Sequence, residues 1–338
     1  MTRSICAALL ASAMSVCSFG AVAQNAVLYG LIDASGSHVK EVGVDQHVWR
    51  LDSGNLQRSF LGFRGSEDLG GGLRAVFKLE SYLRIDTGNA GRVDGDAFWG
   101  REASVGLSGS FGTTVLGRTA SPLYLTTINF NPFGESPGFS PSARQYFGPR
   151  GVVVGDTRWN NALSYTNHAR DALRIQFAAN TDETTPTGSN GHNVGASASY
   201  VTGPFAVSVA AERIRNSAQP LPAGFERQVV LQGGASYDFS FVRVYGQIGR
   251  IKTEATSDAR TNLYQLGASI PFGNSLVLVA YGRAHTTTPL LGTTDQTTSI
   301  AYDYFLSKGT DIYLAALYQK VSFVSTGNTV AGGVRLRF

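Results

Sequence analysis

Charged side chains recur at every second position in several extended segments of this sequence. Arg74, Lys78 and Glu80 alternate with apolar residues in one segment, and Arg335 and Arg337 do so at the carboxyl end. Because successive side chains of a strand point to opposite faces, each segment has one charged face and one apolar face. Fixed charges concentrate counter-ions. The chemistry that this pattern predicts is the attraction of ions.

Catalytic chemistry has little support in the sequence. The five histidines are scattered without a pair at metal-ligand spacing, and no Gly-x-Ser-x-Gly segment is present. We therefore expect no catalytic residue, no bound metal and no cofactor, and we expect that the chain is not an enzyme.

Segments of period-two alternation, separated by turn residues, predict an all-β chain. Most have the 9 to 11 residues that a tilted strand needs to cross a bilayer. We predict sixteen strands, at 26–36, 56–66, 72–82, 98–109, 112–118, 158–167, 171–180, 192–201, 204–213, 228–238, 241–252, 261–270, 275–285, 297–305, 311–321 and 328–338.

The connections between these strands alternate in length. Links such as 83–97 and 119–157 are long, whereas links such as 110–111 and 202–203 are short. Outer-membrane barrels have long external loops and short periplasmic turns. The alternation therefore predicts a closed antiparallel transmembrane barrel with an apolar outer wall and a polar interior.

The amino terminus has the features of a cleaved secretory signal. Arg3 precedes an apolar stretch, and Ala21-Val22-Ala23 supplies small residues for cleavage. We predict a signal peptide at 1–23 and a barrel domain at 24–338.

The net charge of the whole chain is only +4 and its charges are scattered, which argues against a nucleic-acid partner.

The charges on the predicted inner face are mixed, with a small basic excess. The alternation assigns to this face Arg64, Arg74, Lys78, Arg174, Arg243, Arg335 and Arg337, against Asp33, Glu80, Glu102, Glu212 and Asp303.

The segment 119–157 differs from the other predicted loops. It contains five of the eleven prolines and mixes them with aromatic residues and glycines. Long loops without secondary structure are usually functional or disordered, and the aromatic content argues against disorder. We expect this loop to fold into the barrel, narrow the channel and set its selectivity.

Several motifs, in order along the chain, resemble the trimeric general-diffusion porins of the betaproteobacterial and neisserial type. The resemblance rests on residues 26–33, on 59–73 (SFLGFRGSEDLGGGL), on Gly117-Arg118, on 306–310 with Tyr313, and on the terminal Phe338. It implies a sixteen-stranded trimeric barrel whose third external loop folds inward.

The resemblance also implies roles for individual residues. Arg64, Arg74, Lys78 and Arg118 are expected on the wall of the constriction, with Asp33 and Glu80 also lining the lumen. Glu135 and Arg144 are expected on the constriction loop, and Phe338 is expected to be the membrane-insertion signal. Departures from the family pattern occur at Val115, Leu116 and Gly309, where relatives often carry basic residues.

The function predicted from these features is that of an outer-membrane porin, a water-filled channel for small hydrophilic solutes and ions with a weak anion preference. Two alternatives remain open: a substrate-specific channel, and a non-conducting barrel that acts as an adhesin or receptor. The expected partners are two further copies of the chain in a homotrimer, outer-membrane lipid and lipopolysaccharide, the barrel-assembly machinery, and the permeating solutes.

Overall fold

A computed structural model describes residues 26–168, 172–181, 192–217 and 220–338. The predicted signal peptide at 1–23 lies outside these residues. The strands are β1 Val27–Lys40, β2 His47–Ser53, β3 Phe60–Gly70, β4 Leu73–Arg84, β5 Asn89–Ala90, β6 Glu102–Gly109, β7 Gly112–Ala120, β8 Arg158–Thr166, β9 Leu173–Asn180, β10 Val194–Thr202, β11 Phe205–Ile214, β12 Arg227–Asp238, β13 Arg243–Glu254, β14 Ala259–Phe272, β15 Ser275–Thr287, β16 Gly292–Phe305, β17 Thr310–Val321 and β18 Gly327–Arg337.

These strands form one closed antiparallel wall. β1 pairs with β18, from Leu31 opposite Arg337 to Lys40 opposite Asn328. β2 and β3 pair with successive parts of β1 and together form the second barrel strand, while β5 pairs only with β4 in a separate small sheet. The described residues therefore form a sixteen-stranded barrel, and the predicted fold class is confirmed.

The last residue takes part in the closure of the barrel. The Phe338 amide donates to the Gly30 carbonyl at 3.2 Å, and the Gly30 amide donates to the Phe338 carbonyl at 2.9 Å. The Phe338 ring lies on the outer face with Val334 and Leu336, and half of its surface is exposed. The chain end thus takes part in the seam, the pairing between the first and last strands that closes the barrel.

The second barrel strand differs from the prediction of 56–66. Its first part, β2, lies in a segment that was predicted to be a loop, and residues 54–59 interrupt the strand. The cause is Asp33, whose buried carboxylate accepts the Leu56 amide at 2.9 Å and the Gln57 amide at 2.7 Å. A backbone N–H group that donates to a carboxylate is not available for a hydrogen bond to the neighbouring strand, so the strand is interrupted there.

The two faces of the wall follow the predicted alternation. On β14, Leu266 is 70% exposed and Phe272 is 76% exposed on the outer face, whereas Gln265, next to Leu266, faces inward and is buried. Large exposed apolar surfaces of this extent are unfavourable in water and mark a contact with lipid or protein. The outer wall is therefore the lipid-facing surface.

The segment 121–157 packs against the inner face of the wall. It contains helix α1, Pro122–Asn129, and helix α2, Pro141–Phe147, with Ser121 and Ser140 as N-caps. Both caps accept a backbone amide of the first turn, as capping serines do.

Apolar packing and hydrogen bonds both attach this segment to the wall. Leu123 and Phe139 are completely buried against inward side chains of β11–β17, and burying a side chain of this size stabilises a fold by about 1.5–3 kcal/mol. Inward glutamines bond the segment's backbone: Gln265 accepts the Ser142 amide at 2.8 Å, and Gln228 donates to the Val152 carbonyl at 2.9 Å. An amide can both donate and accept, so glutamine satisfies buried backbone groups without burying a charge.

Four inward glycines leave space for this segment. A Cβ atom on any of them would lie 2.9 Å or closer to an atom of the segment, so each permits an approach that alanine prevents. They occupy successive strands β12–β15: Gly234 under Phe130, Gly249 under Tyr146, Gly267 under Pro132 and Gly282 under Pro141 and Gln145.

Candidate functional site

Four guanidinium groups surround one tyrosine ring on the inner face. The Tyr82 ring centroid lies 5.9 Å from the Arg58 Cζ, 5.7 Å from that of Arg92, 5.5 Å from that of Arg101 and 5.4 Å from that of Arg158. The negative face of an aromatic ring attracts cations within about 6 Å. We refer to these five residues as the Tyr82 cluster.

Different elements bring the members of the Tyr82 cluster together. Tyr82 lies on β4 and Arg158 is the first residue of β8, while Arg58 belongs to the break between β2 and β3. Arg92 and Arg101 lie in the connection between β5 and β6. The cluster therefore depends on the external ends of three barrel strands and on the break caused by Asp33.

Glu135 of the inward segment is the carboxylate that faces this cluster. Its Oε2 accepts the Arg101 Nη1 at 2.9 Å and the Tyr124 hydroxyl at 3.0 Å, and its Oε1 accepts the side-chain Nε2 of Gln57 at 3.3 Å. Burial raises the pKa of Glu135, but the Arg101 guanidinium and the nearby Arg158 lower it further, to about 2. Glu135 is thus a charged anchor that holds the inward segment to the opposite wall.

This anchor predicts how stability depends on pH. Because the folded-state pKa of Glu135 lies below the ordinary glutamate value of 4.5, its charge stabilises the fold fully above pH 4.5 and ceases to do so as the pH falls toward 2. We expect Glu135→Gln to lower the unfolding temperature at pH 7, and the gap between native and variant to close between about pH 4.5 and pH 2. Thermal unfolding by circular dichroism at half-unit pH steps measures this gap.

The control for this prediction is Glu226→Gln, because Glu226 is exposed and outside the inward segment. It removes the same charge, and we expect its unfolding temperature to stay close to that of the native protein at every pH. A Glu135→Gln gap that stays constant down to pH 2 would contradict the proposed anchoring.

Glu80 connects the Tyr82 cluster to two predicted wall residues. It lies 3.0 Å from the Arg101 Nε and 3.2 Å from the Lys78 Nζ, and it accepts the Tyr29 hydroxyl at 2.5 Å. Arg64 stands directly across the strand pair from Lys78 and stacks on the Tyr29 ring at 4.9 Å. The structure therefore brings Arg64, Lys78, Glu80 and Glu135 into one connected site.

Arg74 and Arg118 lie apart from this site. Arg74 is four residues from Lys78 on the same strand, about 13 Å nearer to the short turn, and it stands opposite Asp68. Arg118 donates to the Gly100 carbonyl at 2.7 Å and to Asp156 at 2.9 Å.

The carboxylate of Asp156 joins Arg118 to the Tyr82 cluster. Asp156 also accepts the Arg92 guanidinium at 2.8 Å, and Arg92 in turn pairs with Asp96. Burial raises the pKa of Asp156, but these two arginines hold it well below its usual range. The predicted wall residue Arg118 thus belongs to a paired network beside the site rather than to its charged surface.

Asp33 and Arg144 are anchors in the structure. Asp33 is fully buried and accepts the Tyr313 hydroxyl at 2.7 Å in addition to the two amides described above, so it presents no surface to the lumen. Arg144, on α2, donates to the Pro137 carbonyl at 3.1 Å and to Gln319 on the wall at 3.2 Å. Both residues hold inner-face segments in place.

The balance of paired and unpaired charges makes the inner face basic. Among the described residues, no carboxylate lies within 4.0 Å of the guanidinium nitrogens of Arg58, Arg64, Arg74 or Arg158. In contrast, Glu80, Glu135 and Asp156 each pair with at least one cation. Asp33, Glu102 and Glu212 also lack a cation within 4.0 Å in the described part of the chain, so the unpaired charges of the inner face are mixed, with arginines in excess.

Sequence reasoning missed most of the Tyr82 cluster. Arg92 lay in a predicted loop, and Arg58, Arg101 and Arg158 lay near the starts of predicted strands, but none of the four was identified as a lumen residue. One signal was available: Tyr82 shares its parity with Arg74, Lys78 and Glu80, so an inward aromatic ring at the external end of a charged strand was predictable.

The described ranges contain no group of three or more His, Cys, Asp or Glu placed to hold a metal ion. Within them, no helix has both the length and the apolar character needed to cross a membrane.

Comparisons with known proteins agree with this geometry. A family model described as Gram-negative porin matches residues 7–322. Outer membrane porin protein 32 of Delftia acidovorans is 30% identical over 334 residues, which cover 96% of this chain and 93% of that protein. Major outer membrane protein P.IB of Neisseria gonorrhoeae is 35% identical over 133 residues, which cover 38% of this chain and 36% of that protein.

A solved structure has the same fold. The anion-selective porin from Comamonas acidovorans superposes with a TM-score of 0.79 at 26% identity, over 93% of this chain and 99% of that one.

Proposed function

The chain belongs to the Gram-negative porin family, and from this premise we propose that its lumen passes small hydrophilic solutes by diffusion and favours anions over cations. The family predicted from sequence motifs is confirmed, and the protein is an integral protein of the outer membrane. Sixteen strands enclose a bore too wide to be filled by the wall's own side chains.

The proposed anion preference rests on one observation, the unpaired arginines of the inner face. Charges in a cleft with low-dielectric walls concentrate ions of opposite sign, and Arg58, Arg64, Arg74 and Arg158 have no carboxylate partner in the described structure. The similar protein from Comamonas acidovorans is described as anion-selective, which supports the same sign here.

The two alternative functions make different demands on the lumen. A substrate-specific channel needs a binding site that saturates, and a non-conducting adhesin or receptor needs a plugged lumen. The inward segment packs on β11–β17, whereas Arg64 and Arg74 on the opposite wall are exposed, which supports an open passage along that side.

A planar-bilayer recording of the purified protein tests the proposed function. We expect a current that rises linearly with voltage and a conductance that rises with KCl concentration without saturating between 0.1 and 3 M. A conductance that saturates would support the substrate-specific channel. Insertion without any current, shown by antibody labelling of the same bilayer, would support the plugged barrel.

We further propose the partners and processing that the sequence predicts. Cleavage after residue 23 would release a chain that begins just before β1. A homotrimer is supported by small outward residues beside the seam, namely Ala34, Gly36 and Gly332, which allow barrels to approach closely. Contacts with the barrel-assembly machinery through Phe338 and with lipopolysaccharide belong to the same proposal.

A further inference from the structure

The outer wall carries an open depression of about 740 Å³ that crosses strands β9–β14. Small outward residues form its floor: Ala196, Ala198, Ala211 and Gly233. Bulkier outward residues surround them, among them Val209 at 59% exposure and Ile248 at 62%. The depression is an apolar groove in a lipid-facing surface.

Arginine side chains border the external end of this groove. Arg250 lines it directly beside Asn262, its cross-strand partner. The next outward row toward the external loops contains Lys252 opposite Arg260, with Arg213 on β11 in the same row. Arg283 stands beside Tyr264, a further residue of the groove.

Most of these cations have no carboxylate partner in the described part of the chain. Lys252 pairs with Glu254 at 2.7 Å. Among the described residues, no side-chain carboxylate lies within 4.0 Å of Arg213, Arg250, Arg260 or Arg283, and all four are exposed. Unpaired arginines on the outward face of a membrane barrel are costly at the bilayer centre and are tolerated near the interface.

Arg213, Arg250 and Arg260 lie at the level of the lipid headgroups, whereas Arg283 lies in the row of Tyr264. On β14 the outward residues from Tyr264 to Phe272 are apolar, whereas Arg260 and Asn262 lie beyond that band on its external side. An anionic group at this height faces several arginines, and a chain attached to it enters the groove. Arginine suits phosphate because its planar fork donates two parallel hydrogen bonds.

We propose that this groove binds one acyl chain of a phosphorylated lipid of the external leaflet, with the lipid phosphate held by Arg250 and Arg260. A second copy of the chain is a poorer occupant, because a like copy would bring its own arginines against these. The proposal gives the expected lipid partner a location on the wall. It rests on the membrane location of the protein and not on ion passage through the lumen.

Native mass spectrometry of the detergent-solubilised protein tests this site by counting bound lipid during titration with hexa-acylated, bis-phosphorylated lipid A. We expect Arg250→Ala/Arg260→Ala to weaken binding at least tenfold through loss of the headgroup contacts. Ala211→Trp should weaken it equally by filling the groove. The native protein should bind the same glycolipid without phosphates at least tenfold more weakly.

The matched control is Lys308→Ala/Lys320→Ala, which removes two exposed cations outside the groove and should leave binding within twofold of native. Equal losses in this control, or unchanged binding after Ala211→Trp, would overturn the proposal. A lower oligomer mass after Ala211→Trp with lipid binding unchanged would identify the groove as a contact between copies, which also overturns it.

Single-channel conductance separates this proposal from the proposed function. The substituted side chains face outward, so every variant should conduct like the native protein. A native protein that binds lipid A as expected but passes no current would contradict the channel and leave the lipid site standing. A linear conductance without phosphate-dependent binding would support the channel and contradict the lipid site.

Discussion

Changing Arg64, Arg74 and Lys78 together to glutamate should turn the channel from anion-selective to cation-selective. Arg64 and Arg74 are exposed on the inner face and have no carboxylate within 4.0 Å among the residues that the structure describes, and Lys78 stands beside Arg64. The substitution reverses three charges on one stretch of the wall. We expect the ratio of anion to cation permeability to fall about tenfold, since focused wall charges change local ion concentrations by at least that factor.

The zero-current potential across a tenfold KCl gradient measures this ratio. The native protein should show a several-fold anion preference in dilute salt, because Glu80 and Glu135 offset part of the basic charge. The preference should decline as salt rises, since the screening length falls from about 10 Å at 0.1 M to about 3 Å at 1 M.

A matched control changes Arg213, Arg260 and Arg283 to glutamate. The net charge changes by the same amount, but these side chains lie on the outer face and their field is separated from the lumen by the wall. The reversal potential should stay at the native value. A native channel that prefers cations, or a potential unmoved by the inner-face substitutions, would show that those residues do not control ion passage.

Deleting Phe338 should sharply reduce the amount of folded protein in the outer membrane. The deletion removes both backbone hydrogen bonds between Phe338 and Gly30, and it removes the last apolar side chain of the β18 outer face. The family resemblance implies that the assembly machinery also reads this terminal residue. We expect the amount of folded protein to fall at least tenfold, measured as heat-modifiable protein in isolated outer membranes. If folding were at equilibrium, this loss would correspond to about 1.4 kcal/mol.

Two comparisons separate the position of the aromatic residue from its apolar surface. Phe272→Ala removes another exposed outward ring, beside a different short turn, and should leave the yield close to native. Phe338→Tyr keeps the terminal ring and the backbone contacts and should restore most of the yield. Normal membrane levels of the truncated chain would refute the assigned role.

The wall of this protein was largely predictable because its signals are local. A period of two over nine or more residues determines a strand and its two faces, as in β14, where Leu266 and Gln265 point to opposite sides as predicted. Turn residues then set the connections, and strand order follows from antiparallel neighbours. The second strand was the exception, because its break depends on Asp33, a residue more than twenty positions away.

The charged site was less predictable because alternation gives the face of a side chain but not its height in the barrel or its partner across the lumen. Arg64, Arg74, Lys78 and Arg118 were predicted to lie together on one wall. Arg64 and Lys78 stand opposite each other on paired strands, whereas Arg74 lies nearer to the short turn. Arg118 forms an ion pair with Asp156 of the inward segment.

The sequence by itself determined the class of fold, the family, the polarity of each face and the basic excess of the inner wall. Only the tertiary structure decided which inward charges are free and which are anchors. The Tyr82 cluster and its link to Glu135 join residues from the second strand break, two connections and the start of β8, and their approach depends on register and on the packing of the inward segment. Such contacts are set by the closed barrel as a whole, because no local stretch of the chain contains both partners.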